Sequence, residues 1–121
     1  MTKAYDTFRY LSPDRKTDQW GLDLVSLGQQ SVKPGSLYPP PGHPPGYRFS
    51  YRRGRVLAEI QLLFLTEGRG VFESTRQQAR SVAAGDLIVL RPGQWHRYRP
   101  EPSVGWTEQW IGFSGPLADQ A

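Results

Sequence analysis

Residues 85–100 read GDLIVLRPGQWHRYRP. Gly85 and Asp86 form a turn, and Leu87–Leu90 is an apolar run of strand length. Pro92-Gly93 turns the chain again, and His96 opens a second strand in which residues alternate. A β-barrel enzyme keeps a metal ligand at such a place, just after a turn that follows a buried strand. The chain holds only two histidines and no cysteine. A transition-metal site needs three or four converging N, O or S ligands, and His96 with distant His43 cannot supply them. His96 therefore reads as a wall histidine or a ligand contact, and the cofactor expectation is none.

Outward from this stretch, thirteen glycines and eleven prolines cut the 121 residues into short pieces. That punctuation suits an all-β domain with many turns. PGSLYPPPGHPPG (34–46) carries six prolines, which cannot donate ladder hydrogen bonds, so it reads as an extended loop. YRFSY (47–51) alternates, with Tyr47, Phe49 and Tyr51 on one face. VLAEIQLLFLTEG (56–68) is the longest apolar run, with Glu59, Gln61, Leu63 and Leu65 on one face and Ile60, Leu62 and Phe64 on the other. Gly68 and Gly70 are expected to turn a hairpin into GVFES (70–74). The turn TRQQ leads to a strand around Arg80–Val82. HRYR (96–99) and GWTEQWIGF (105–113) are the last strands, and DLVSLG (23–28) opens the series. No segment has a convincing helical period, so a small β-barrel or sandwich is expected.

The bulk numbers are consistent with one domain. Lys+Arg number 15 against 11 Asp+Glu, and twelve of the cations are arginine. They form no long basic run and no basic helical face, which argues against direct nucleic-acid binding by this segment. No run approaches the roughly 18 apolar residues that would cross a membrane. There is no signal-peptide pattern at the start, so the chain reads as cytoplasmic.

Gly85, five residues, Arg91-Pro92-Gly93, two residues and His96 resemble the second motif of the cupins, except that Arg91 stands where that motif has its first proline. The region matching the first cupin motif, VLAEIQLLFLTEGRGVF, has no histidine. The wider pattern is more specific. GRVLAEIQLLFLTEGRGVFES followed by VAAGDLIVLRPGQWHRYRPEPSVGWTEQWIGFSG resembles the effector-binding domain of AraC-type transcriptional regulators. The Leu-rich strand ending in x-G-x-G, the PGxWHRY element and the paired tryptophans of GWxExW carry that resemblance.

It implies a cupin-like (jelly-roll) barrel over residues 21–116, a flexible N-terminal arm over 1–20, and the truncated start of a helical dimerisation region over 117–121. It implies a non-catalytic sensor that binds a small effector, often a sugar, inside the barrel. DNA would be controlled through a helix-turn-helix domain absent here, and a homodimer is a possible partner state. The ligand-binding residues carried over are Tyr98, Glu108, Trp110, Glu67, His96 and Tyr51. Aromatic faces stack on the C–H patches of a sugar, and a carboxylate accepts hydrogen bonds from hydroxyls. Each has a plainer reading: Trp110 as core, Glu108 as a carboxylate paired with an arginine, Glu67 as a hairpin shoulder, Tyr51 as part of a packed stripe. Glu67 stands where an arabinose-sensing member is expected to carry a basic residue, and the reversed charge argues against arabinose. Trp95 reads as packing and His43 as exposed. Two other functions stay open. One is a cupin enzyme using Glu67 and Glu108 as an acid–base pair; the other is a dimerisation module with a filled barrel.

Overall fold

The structure, a computed structural model, describes residues 7–11, 22–36, 38 and 50–119. Seven strands follow in order: β1 (Thr7–Tyr10), β2 (Asp23–Val32), β3 (Ile60–Ser74), β4 (Gln77–Ala83), β5 (Leu87–Leu90), β6 (His96–Pro100) and β7 (Trp106–Ser114). A single helical turn, α1 (Pro116–Asp119), comes last. Every pairing is antiparallel. One sheet runs β1-β2-β7-β3-β5, and the second is built from β4, β3 and β6.

β3 belongs to both sheets. Its first half pairs β7 and β5, and its second half pairs β4 and β6. The expected hairpin at Gly68–Gly70 is therefore corrected: the chain runs straight through as one strand. The glycines serve a different need. Gly68 sits at φ +82° beside a register shift at Leu65/Glu67, and a Cβ there would lie 2.1 Å from the Gly105 carbonyl oxygen. At Gly70 a Cβ would lie 2.1 Å from the Arg99 carbonyl oxygen. Only glycine allows neighbouring backbone so close where the strand bends from one sheet into the other.

Other boundaries move as well. β2 extends to Val32 and β4 back to Gln77, so TRQQ shrinks to a turn at Thr75–Arg76. Residues 7–10 of the expected arm form β1 along the edge of β2. Tyr51 lies in a turn, not a strand. The rest of the aromatic stripe, Tyr47 and Phe49, lies outside the described residues, as does His43.

Alternation decides what faces inward. Along β3, Gln61, Leu63 and Leu65 are buried while Phe64 is exposed. Ile88 and Leu90 of β5, Val82 of β4, Phe72 of β3 and Tyr98 of β6 join them in one core. Each such Leu or Ile contributes about 1.5–3 kcal/mol by leaving water. The core is not uniformly apolar. His96, Glu108, Gln30, Glu59 and Gln61 are buried among these side chains. Burying such groups is costly unless they bond one another, and that cost points to the site.

Candidate functional site: a buried carboxylate and a guanidinium inside the barrel

The last two strands carry the centre of the site. On β7, Trp106, Glu108 and Trp110 alternate inward, 2%, 2% and 7% exposed. The ladder places Gln30 of β2 directly opposite Glu108, and the Gln30 side-chain amide donates to Glu108 Oε1. The Tyr38 hydroxyl, from the proline-rich segment, donates to the same carboxylate at 3.0 and 3.3 Å. Burial pushes the Glu108 carboxyl up to about 7, and the bonds from Gln30 and Tyr38, with a smaller pull from Arg55, oppose it. The buried Trp106 indole N–H leans on this carboxylate but completes no hydrogen bond with any described residue. The Tyr38 phenol is held well above its ordinary range by burial and by the carboxylate beside it.

Across from Glu108, Arg55 is tied to β6 by a backbone bridge with His96. Its Nε donates to His96 Nε2 at 3.1 Å and its Nη2 to the Tyr98 hydroxyl at 2.8 Å. A guanidinium can only donate, so His96 Nε2 is the acceptor, and Nδ1–H faces the Gln94 carbonyl at 3.3 Å. That assigns the tautomer. Burial and then the Arg55 charge push the His96 imidazole down to about 3, so it is neutral at physiological pH. Among the described residues no group of three or more His, Cys, Asp or Glu could hold a metal ion.

Aromatic side chains pack between and around these groups. Tyr98 stacks on His96 at 5.9 Å and on Trp106 at 6.0 Å. Tyr38 tilts against Tyr98 and meets Trp106 edge-on. β1 closes one side: Phe8 stacks on Trp110 at 6.1 Å. The Tyr10 phenol is raised by burial and feels the charges of Arg55, Glu59 and Glu108. A second buried carboxylate, Glu59, accepts from Ser26 Oγ at 2.8 Å over Gly112, where any Cβ would strike it.

Of the six residues carried over from sequence, Tyr98, Glu108, Trp110 and His96 come together on this inner face. Glu67 does not. It is exposed, and its Oε2 lies 3.4 Å from Thr107 Oγ1, on the face of β7 opposite Glu108. A Glu67–Glu108 acid–base pair across the barrel is therefore not assembled. Tyr51 also lies outside, with the guanidiniums of Arg97 and Arg99 over its ring at 4.6 and 4.1 Å. Trp95 packs there too, its N–H donating to the Arg53 carbonyl at 2.8 Å.

The sequence reading missed Arg55, Gln30, Tyr38 and Tyr10. Arg55 stands beside Arg52 and Arg53 in sequence, where it looks like one more surface charge. Yet the inward alternation through Leu57, Glu59, Gln61, Leu63 and Leu65, carried back one more step, lands on it.

The model of the AraC-like ligand binding domain matches residues 34–121. The chain belongs to that family. A lactose operon transcription activator of Staphylococcus xylosus is 31% identical over 70 residues, covering 58% of this chain and 23% of that protein. The chain thus spans about a quarter of the length of this curated relative. Three solved structures share the fold. The protein YhaK of Escherichia coli superposes with TM-score 0.61 at 14% identity, covering 93% of this chain and 46% of that one. An RmlC-like cupin of Methanocaldococcus jannaschii with a double-stranded β-helix gives 0.52 at 8%, covering 98% and 86%. A predicted oxalate decarboxylase of Thermotoga maritima gives 0.53 at 13%, covering 87% and 76%. The all-β, cupin-like barrel expected from sequence is the fold. An AraC-like ligand binding domain is the ligand-sensing part of a regulator, and its direct partner is a small molecule. No helix among the described residues is long and apolar enough to cross a membrane.

Proposed function

We propose that this chain is the sensor domain of an AraC-type regulator and that its effector is a small polyhydroxylated molecule, a sugar or sugar derivative. The observation that carries the reading is the inner wall itself: a buried carboxylate, Glu108, facing a guanidinium, Arg55, with Tyr98, Trp106 and Trp110 around them. This combination suits a sugar. Its hydroxyls donate to Glu108 and accept from Arg55, while its C–H faces lie on the aromatic rings. The S. xylosus relative is named for a lactose operon, which agrees with a sugar as the class of effector.

A ligand between Glu108 and Arg55 also meets β1, through Tyr10 and Phe8. The N-terminal strand is then the element whose position the effector biases. The effector acts only if it binds one arrangement better than the other. In the full-length protein this bias passes to a helix-turn-helix region that reads DNA in the cytoplasm, with a homodimer as the working unit.

A thermal-shift panel of pentoses, hexoses, sugar acids and disaccharides, with divalent metals in parallel, tests the reading. A ligand that binds only the native state raises its melting temperature by mass action. One sugar is expected to do so without metal, and Glu108→Gln and Arg55→Gln are each expected to remove the shift. Stabilisation by a metal alone would overturn the reading.

A further inference from the structure

Beyond the barrel interior, we infer that the structure holds a second ligand site: an arginine-lined cleft between β4 and β5 that takes a small di- or trianion such as a phosphate ester.

Three elements that are separate in sequence build it. Arg76 comes from the β3–β4 turn, Arg80 from β4, and Arg91 from just past β5, and all three line one cleft of about 330 Å³. β4 and β5 both pair with β3, on successive stretches of it, so the cleft marks the seam where one sheet gives way to the other. Its floor reaches the core at Phe72 and Ile88, which are 4% and 1% exposed. Gln77 and Gln94 add neutral side-chain amides to its lining.

The cleft gathers three arginines with no acidic residue in its lining. The arginine–carboxylate pairs among the described residues are Arg69–Glu101 and Arg97–Glu73. None of the three cleft arginines has a carboxylate partner there, and no Asp or Glu lines the cleft. Three like charges around one concave surface repel each other and raise the positive potential within it. An anion relieves that repulsion. Guanidiniums match phosphate and carboxylate oxygens with paired N–H donors, which favours a compact, highly charged group over a monovalent one. The apolar floor and the amides leave room for the body of an ester. The requirement for opposite charge separates this ligand from the neutral sugar proposed for the interior.

Calorimetric titration of the purified chain with inorganic phosphate, pyrophosphate, citrate and a sugar phosphate, each at constant ionic strength in chloride, tests this. Saturable binding is expected for the multivalent anions, with the parent sugar failing to compete. The double variant Arg80→Gln/Arg91→Gln should weaken that binding at least tenfold. The charge-matched surface variant Arg52→Gln/Arg53→Gln should bind like the parent. In chloride alone, the cleft variant should melt no lower than the parent, because it loses only repulsion. It should also keep any sugar-dependent thermal shift, so failure here is distinct from failure of the interior reading. Absence of saturable binding would overturn the inference, and so would equal weakening in both double variants. Binding of a DNA duplex that the small anions do not displace would overturn it as well.

Discussion

Glu108 and His96 sit in one barrel and are displaced in opposite directions, and this has a measurable consequence for stability. Glu108 rises from 4.5 to about 7 on folding, and His96 falls from 6.5 to about 3. Between about pH 4.5 and 6.5 the native protein holds a proton on Glu108 and none on His96. The unfolded chain holds one on the histidine and none on the glutamate. Folding then moves a proton from one residue to the other with no net uptake, so these two groups contribute no pH dependence in that window. Removing either group uncovers the other. In Glu108→Gln the unfolded state binds one proton more than the native state. Stability should then rise with pH by about 1.4 kcal/mol per unit, or about 3 kcal/mol across the window. In His96→Gln the native state binds one more, and stability should fall by the same amount. Surface groups such as Glu101 are common to all three proteins and cancel in the differences. Urea denaturation at pH 4.5, 5.5 and 6.5, at one salt concentration, reads these slopes directly. Parallel pH profiles for the parent and both variants would refute the reasoning, because neither group would then be titrating across the window.

Further predictions follow from single contacts. Tyr38→Phe removes a hydrogen bond that favours the Glu108 carboxylate, so the apparent pKa of Glu108, followed by carboxyl-carbon NMR, should climb above about 7. Arg55→Gln removes a positive neighbour of His96, and its imidazole should titrate above about 3 in a histidine NMR titration. Gly68→Ala should destabilise by more than about 2 kcal/mol in urea unfolding, because its Cβ meets the Gly105 backbone. Gly35→Ala has a similar φ of +80° but nothing within 4 Å, so it should show only the backbone penalty of about 1–2 kcal/mol. Equal losses in the two would show that close approach is not what requires Gly68.

Much of the barrel is legible in the sequence because period-2 alternation and turn chemistry are local. GDLIVLRPGQWHRYRP yields β5, the Pro92-Gly93 turn and β6 without reference to the rest of the chain. The alternation of GWTEQW places Glu108 between two tryptophans on one face. What the sequence hides is long-range. A glycine pair inside an apolar run signals a hairpin, yet here Gly68 and Gly70 relieve clashes with Gly105 and Arg99, residues that only the fold brings near. Gln30 lies past the apolar part of β2 and becomes a site residue only because the ladder sets it opposite Glu108. Tyr38 sits in a segment without periodicity. Glu67 and Glu108 look equivalent in sequence, and the shift in register at Leu65/Glu67 is what leaves them on opposite faces.

Binding of an effector inside the barrel, between Glu108 and Arg55, can be read from the tryptophan side chains. The chain has four, and each gives one indole N–H signal in a nitrogen–proton NMR spectrum. Trp106 and Trp110 line the interior, whereas Trp95 packs outside against Arg53 and Arg97. Titrating the sugar panel into the labelled chain should move the Trp106 and Trp110 signals together, with Trp95 unchanged. A sugar that shifts Trp95 alone, or a panel that leaves both interior signals in place, would rule out an effector site inside the barrel.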